Sequence, residues 1–377
     1  MTPSDSYIAH LTSAHPRFDM RICNKMCQSL AREGYTVNLV VADGKGNENR
    51  NGVNIIDAGQ SKSRLDRICN APSRVLSDAI KLNADLYHLH DPELIPIGLK
   101  LKKLGKRVIF DSHEDVPRQM LAKPYLNRPM RWGIAQALRV YEAWACKQFD
   151  GVIAATPFIR DKFLAINPNT VDINNFPLLD ELISAASWAQ KQLVVCYVGG
   201  ISKIRGIVEV TRAMGLVHST VRLQLAGQFS EHDLQQRLQA LPGWERVDAL
   251  GFVDRSGVSD VLAHSMAGLV TLHPVINYFD ALPVKMFEYM SAGIPVIASD
   301  FPLWREIIAG NDCGLLVDPL NTSQIAEAID YLVNHPKEAE RMGQNGRKMI
   351  LNHYNWPNEE RKLFVLYENV ISGSCSQ

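Results

Sequence analysis

Strand-length apolar runs alternate with helical stretches from one end of this chain to the other, and that alternation leaves few folds open. In the first half, residues 8–12, 37–41, 53–57, 86–89, 108–111 and 152–155 each read as a buried strand. In the second half, 193–198, 222–226, 268–272, 294–298 and 315–317 repeat the scheme. Helical patterns such as 21–33 and 95–104 lie between them. A strand that is apolar along its whole length must be covered on both faces, as in parallel sheets flanked by helices. Asn174-Asn175-Phe176-Pro177 is a turn-like break between the halves. The expected fold is α/β, with two doubly wound domains facing each other across a cleft. Ligands in such sheets sit beyond the carboxyl ends of the strands.

Composition supports a sizeable core and narrows the partners. The chain has 377 residues, 46% of them hydrophobic, with 40 basic and 40 acidic residues and no formal net charge. That balance argues against nucleic acid as the main partner. The first residues, MTPSDSYIAHL, are polar and lack the apolar core of a signal peptide. No run approaches the ~18–20 apolar residues of a membrane span, so a cytoplasmic location is expected. The seven cysteines, at 23, 27, 69, 146, 196, 313 and 375, lack paired metal-ligand spacing and read as reduced thiols.

Two segments carry chemistry. Residues 273–308 place Asp280, Lys285 and Glu288 where a loop turns into a helix, followed by a Gly293-x-Pro295 break and a short strand. Carboxylates accept hydrogen bonds from hydroxyls, while a lysine at a helix N-terminus attracts phosphate. Residues 194–206, VVCYVGGISKIRG, run a buried strand into Gly199-Gly200, then Lys203, Arg205 and Gly206. Glycines allow close backbone approach to a ligand, and an arginine fork can hold two phosphate oxygens. Taken singly, each segment is also compatible with a plain strand–turn–helix carrying solvated charges.

Together these residues resemble the retaining glycosyltransferases of family 4, with the GT-B fold. The resemblance rests on an acid, seven residues and a glutamate (Asp280 to Glu288) running into FEYMSAGIPVIAS, and on the glycine loop ending in Arg205-Gly206. It implies a nucleotide-diphosphate sugar as donor, of uridine, guanosine or adenosine type, and no further cofactor or metal. Domain 1–177 would bind the acceptor, and 178–357 the donor. A last helix, 358–377, would pack back on the first domain through such residues as Tyr354, Trp356, Leu363, Leu366 and Tyr367. Arg205 and Lys285 would hold the diphosphate, with Lys203 third and Gly199 and Gly200 lining the loop. Glu288 would hold ribose hydroxyls and Asp280 the sugar. The amides of Ala281 and Leu282 would face sugar or phosphate, and Phe252 the base. Asp280 stands where the family usually has glutamate, and Gly200 where it usually has arginine.

On the acceptor side, Asp111-Ser112-His113-Glu114 follows a strong strand and resembles the family's DxHE element. It implies that His113 meets the transferred sugar or its developing positive charge. Asp19 and Arg21 are further cleft candidates, and His15 reads equally as a surface residue. His88, His90 and Asp91 end another strand and read as separate cleft residues rather than a metal site. Residues 118–147 are rich in bases and aromatics, compatible either with core packing or with an anionic membrane surface. The leading expectation is a retaining, metal-independent glycosyltransferase acting on a hydroxyl acceptor, by resemblance a lipid-linked or growing surface glycan. A nucleotide-sugar epimerase of the same architecture and a non-catalytic binding protein remain as alternatives.

Overall fold

The computed structural model describes residues 6–123, 126–179 and 187–373. By contact the chain divides into one unit of Met1–Asn175 with Trp356–Gln377 and a second of Phe176–Asn355.

The first unit holds β1 (Tyr7–Leu11), β2 (Thr36–Val41), β3 (Glu48–Arg50), β4 (Val53–Asp57), β5 (Leu86–Leu89), β6 (Arg107–Ser112), β7 (Gly151–Ala154) and β8 (Thr170–Asp172). They form one sheet in the order β3-β4-β2-β1-β5-β6-β7-β8. Every pairing is parallel except β3 with β4. The second unit holds β9 (Val194–Val198), β10 (Arg222–Ala226), β11 (Val247–Gly251), β12 (Ala267–Val270), β13 (Val296–Ser299) and β14 (Gly314–Val317). Its sheet runs β11-β10-β9-β12-β13-β14 and is wholly parallel. In each unit the first strand is central and the chain reverses direction across the sheet after its third major strand. That is the doubly wound order, and its switch points lie between β1 and β5 and between β9 and β12.

The apolar runs supply the strands, since β5, β7, β9, β12 and β13 are buried at every position. Helices cover them with periodic faces. The Thr322–Asn334 helix is capped by Asn321, whose side chain accepts from the amides of Ser323 and Gln324, and it buries Ile325, Ile329 and Leu332. Each such side chain is worth about 1.5–3 kcal/mol of burial. β11 lies outside the apolar runs named above and is a mostly exposed edge strand, and two further strands were not foreseen. β3 is an exposed three-residue antiparallel edge and β8 a three-residue edge, both too short and polar for an alternation signal. The stretch expected as a helix over 21–33 begins as a wider π turn, Met20–Cys27, and continues as Gln28–Arg32.

The last helix, Trp356–Ser372, belongs to the first unit, and its last few expected residues, with Cys375, lie outside the described residues. Trp356 donates its indole N–H to Ser29 Oγ at 2.9 Å, and Leu363, Leu366 and Tyr367 are buried. Tyr354 does not join them. It packs edgewise against Phe176 in the second unit and beside Phe287.

One face of the first sheet carries, among buried aliphatic residues, a polar stripe closed to water. In-register pairing sets His10 of β1 beside His88 of β5. His90 follows two residues after His88, and Asp111 of β6 lies next to it. His10, His88, His90 and Asp111 are all at most 1% exposed. The Arg21 guanidinium meets Asp111 with both a 2.9 Å and a 2.8 Å bond, and Tyr367 lies within hydrogen-bond distance of His88 (2.7 Å) and His10 (3.2 Å). Burial, and for His10 and His88 also neighbouring imidazoles, push both well below the ordinary histidine range. Burial pushes His90 down to about 4. The unfolded chain takes up these protons near pH 6.5, so folding stability should decline as pH falls from about 6.5 towards 4. His15 acts in the opposite sense. Its pKa is raised because its bond to Asp91 outweighs burial, so its contribution is present at acid pH and lost above. Three groups outweigh one, and a chemical denaturation midpoint lower at pH 5 than at pH 7 is expected. A midpoint that holds or rises would contradict neutral burial of these rings.

Candidate active site

In the second unit, the residues singled out in 194–206 and 273–288 come from the two strands that flank the switch point, β9 and β12. β9 ends at Val198, and Gly199 turns the chain with φ of 111°, a conformation that favours glycine. The Lys203–Arg205 turn closes on Gly206, also at positive φ, where a Cβ would stand 1.9 Å from the Thr271 carbonyl oxygen. The loop after β9 is therefore pressed against the loop after β12. The helix Val284–Ser291 then starts just after Pro283, which sits one residue outside it as the cap.

Lys285 occupies the second position of that helix. Its side chain is almost wholly buried, its Nζ lies 3.5 Å from the centroid of the Tyr197 ring, and no hydrogen-bond partner reaches that nitrogen. Burial, and next the nearby Arg205 guanidinium, push its amine well below the ordinary lysine range. An ammonium at a helix N-terminus, beside a second cation and without a carboxylate bond, is a costly arrangement unless an anion joins it. Arg205 donates to the Gly200 carbonyl at 3.2 Å, and a Cβ at position 200 would stand 3.1 Å from its Nη1. Arg205 thus fills the space beside position 200. A side chain there would push it aside, which gives glycine at 200 a physical reason. Lys203 is exposed, and its backbone amide is held by Glu231.

The remaining donor-side residues divide. Glu288, four-fifths buried or more, pairs with Arg255 at 2.5 Å. Arg255 was not singled out in the sequence, because a pair separated by so much chain leaves no local pattern. Phe252, following β11, is 72% exposed rather than core. Asp280 is half-buried in the loop before Pro283. The amide of Ala281 donates to the Tyr278 carbonyl and its own carbonyl accepts from Trp304, so this amide is engaged within the loop. Leu282 packs against the unit's apolar core. Another pair missed in the sequence, His273 with Glu209 at 2.8 Å, ties the start of the same loop to the Ile207–Met214 helix.

In the first unit, His113 is about one-fifth exposed, and its Nε2 bonds Asp111 Oδ2 at 2.9 Å. His15 stands beside it, ring centroids 4.8 Å apart, and is held by Asp91 at 2.9 Å. Asp91 also accepts from the Thr12 hydroxyl and the Ser13 and Ala14 amides, so His15 is built into a structured loop and is not a chance surface residue. Three expectations need correction. Asp19 caps the helix that follows it, Arg21 is consumed by Asp111, and His88 and His90 are buried rather than ligand-facing. The histidines are not separate either. His10, His88 and His90, and likewise His90, Asp111 and His113, lie close enough to share an ion among the described residues.

The family model "Glycosyl transferases group 1" matches residues 180–349, and "Glycosyltransferase Family 4" matches 21–173. Among relatives, the phosphatidyl-myo-inositol mannosyltransferase of Mycobacterium leprae is 23% identical, over 84% of this chain and 82% of its own. The MMP alpha-(1->4)-mannosyltransferase of Mycolicibacterium hassiacum is 19% identical, over 75% and 71%. Among solved structures, sucrose-phosphate synthase from Thermosynechococcus elongatus superposes with a TM-score of 0.79 at 18% identity, covering 98% of this chain and 100% of that one. Anabaena HepE in complex with UDP-glucose superposes at 0.73 and 14% identity, covering 97% and 100%. Family models over both halves, with these neighbours, place the chain among the family 4 glycosyltransferases of GT-B fold.

Proposed function

We propose that this glycosyltransferase is a retaining enzyme that moves a sugar from a nucleotide-diphosphate sugar to a hydroxyl acceptor. The observation that carries the reading is the buried Lys285 amine beside Arg205, whose nitrogen lacks a hydrogen-bond partner. A donor diphosphate supplies one. Two fixed cations at a leaving diphosphate stabilise the charge that grows as the anomeric C–O bond breaks, and losing one such contact typically costs about 2.7–4 kcal/mol in the transition state. In this reading Phe252 offers a face to the base, Glu288 exchanges Arg255 for ribose hydroxyls, and Asp280 takes sugar hydroxyls. His113 meets the transferred sugar. The acceptor oxygen bonds the anomeric carbon on the face the phosphate leaves, and the leaving phosphate takes the acceptor proton. The protein cations assume the charge-stabilising role that a metal would otherwise fill. The names of the mannosyltransferase relatives and the UDP-glucose complex of HepE support a nucleotide-sugar donor.

The acceptor reading is a lipid-linked or growing glycan, met at a membrane surface. The helix Arg128–Cys146 leaves Met130, Trp132, Val140 and Trp144 between 50% and 67% exposed, near Arg128, Arg139 and Lys147. Aromatic and apolar side chains flanked by bases suit an anionic bilayer. Among the described residues no helix is long and apolar enough to cross a membrane, so contact would be peripheral. Residues 124 and 125 of this segment lie outside the described residues.

Two measurements test these readings. Calorimetric titration of UDP, GDP and ADP should find one tight ligand. Because the Lys285 amine is depressed without an anion, binding should take up protons, seen as an enthalpy that varies with buffer ionisation heat. Lys285→Met should abolish the uptake and lower kcat/KM by about 100-fold or more. No binding at millimolar concentration would overturn the donor assignment. For the membrane, co-sedimentation with anionic vesicles should fall several-fold in Trp132→Ser/Trp144→Ser. Arg131 is unsuitable, since its guanidinium is bonded to the Leu126 and Leu121 carbonyls. Unchanged sedimentation would exclude this face.

A further inference from the structure

The buried polar stripe of the first unit admits one consistent placement of its protons. Asp111 is the fixed point. Burial would raise its pKa, but Arg21 and then His113 hold it well below the ordinary carboxylate range, so it can only accept. Both imidazoles that touch it must therefore donate to it, His113 through Nε2 at 2.9 Å and His90 through Nδ1 at 3.2 Å, so the 3.4 Å between those two nitrogens is a contact of two N–H groups aimed at one oxygen and not a hydrogen bond. A neutral ring that donates at one nitrogen accepts at the other. His90 Nε2 then accepts from His10 Nδ1 at 2.9 Å. His10 Nε2 in turn accepts from the Tyr367 hydroxyl at 3.2 Å, and Tyr367 accepts from His88 Nδ1 at 2.7 Å. His88 Nε2 is buried with no partner, so the chain of donors starts there.

We infer that His88, Tyr367, His10 and His90 form a one-way hydrogen-bond relay ending on Asp111, which holds His113 with its proton on Nε2 and its Nδ1 lone pair available to ligand. His10, His90 and Tyr367 are positioning residues for His113. A shared metal ion is the competing use of the same rings, and the geometry disfavours it. Two ligands of one tetrahedral zinc at about 2.0–2.1 Å stand roughly 3.3–3.4 Å apart, wider than the 2.9 Å between His10 Nδ1 and His90 Nε2. Both Asp111 oxygens are also already held by Arg21. The relay makes the last helix part of the site, because Tyr367 is its one residue in the network. Tyr367→Phe removes a donor from His10 and an acceptor from His88. Asp111 still requires His90 to donate through Nδ1, so His10 keeps its own Nδ1 proton for His90 Nε2, and its Nε2 is left buried without a donor, which loosens the support of Asp111.

The link to catalysis rests on the assignment of His113 to the transferred sugar, but the proton placement does not. Long-range ¹H–¹⁵N spectra of the full chain labelled at histidine read each tautomer directly. Wild type should show His10, His88 and His90 as Nδ1–H forms and His113 as Nε2–H. In Tyr367→Phe, His10, His90 and His113 should keep these forms while the His10 and His88 resonances shift, and kcat should fall about tenfold or more with the donor KM changed less than about twofold. An Nε2–H form at His90 in wild type, or metal-shifted imidazoles after stoichiometric Zn²⁺ addition, would overturn the relay. Spectra as expected, with kcat unmoved in both Tyr367→Phe and His113→Asn, would leave the relay standing and overturn its catalytic link together with the His113 assignment.

Discussion

The donor side depends on one buried amine without a partner. Lys285 is held in the second unit by a helix that begins at Val284, against the Tyr197 ring and beside Arg205, with no hydrogen-bonding partner for its nitrogen. Burying an amine in this way costs stability unless an anion completes the site. The surrounding geometry keeps the place open. Gly199 and Gly206 let the two switch-point loops meet, and the absence of a side chain at 200 leaves room for Arg205. The arrangement is pre-organised: both basic side chains are held in place before a ligand arrives, Lys285 gains its proton with the anion, and little need move when charge develops.

The first unit solves a different problem with similar means. Its sheet also reverses at a switch point, but the face beside it carries imidazoles and a carboxylate where a doubly wound sheet usually carries apolar residues. Arg21 compensates Asp111, and each ring satisfies its neighbour, so a buried polar stripe is tolerated. Such a network fixes one arrangement only while the bonds between its members are kept, which is why the last helix, through Tyr367, matters to residues far from it in sequence.

Much of this was legible in the sequence, for identifiable reasons. The strands were legible because doubly covered strands are apolar along their length. β12 and β13 shifted by only a residue or two, since the edges of apolar runs do not mark where pairing ends. The 273–308 segment was legible because the acid, lysine and glutamate sit on one short loop–helix junction. What sequence could not supply was register and distance. The alignment of His10 with His88 depends on strand pairing, and the hold of Arg255 on Glu288 depends on the packing of separate elements. The Ala281 amide looked available because a loop gives no sign of its internal bonds. Asp19 and Arg21 looked like ligands because a cap and a buried ion pair use the same residue types as a binding site.

The most direct test of the central claim is a crystal structure of the protein soaked with the nucleoside diphosphate it binds. The account predicts the terminal phosphate within hydrogen-bond distance of Lys285 Nζ and Arg205, with Glu288 released from Arg255 to the ribose. A diphosphate bound elsewhere, with Lys285 still unpaired against Tyr197, would contradict it.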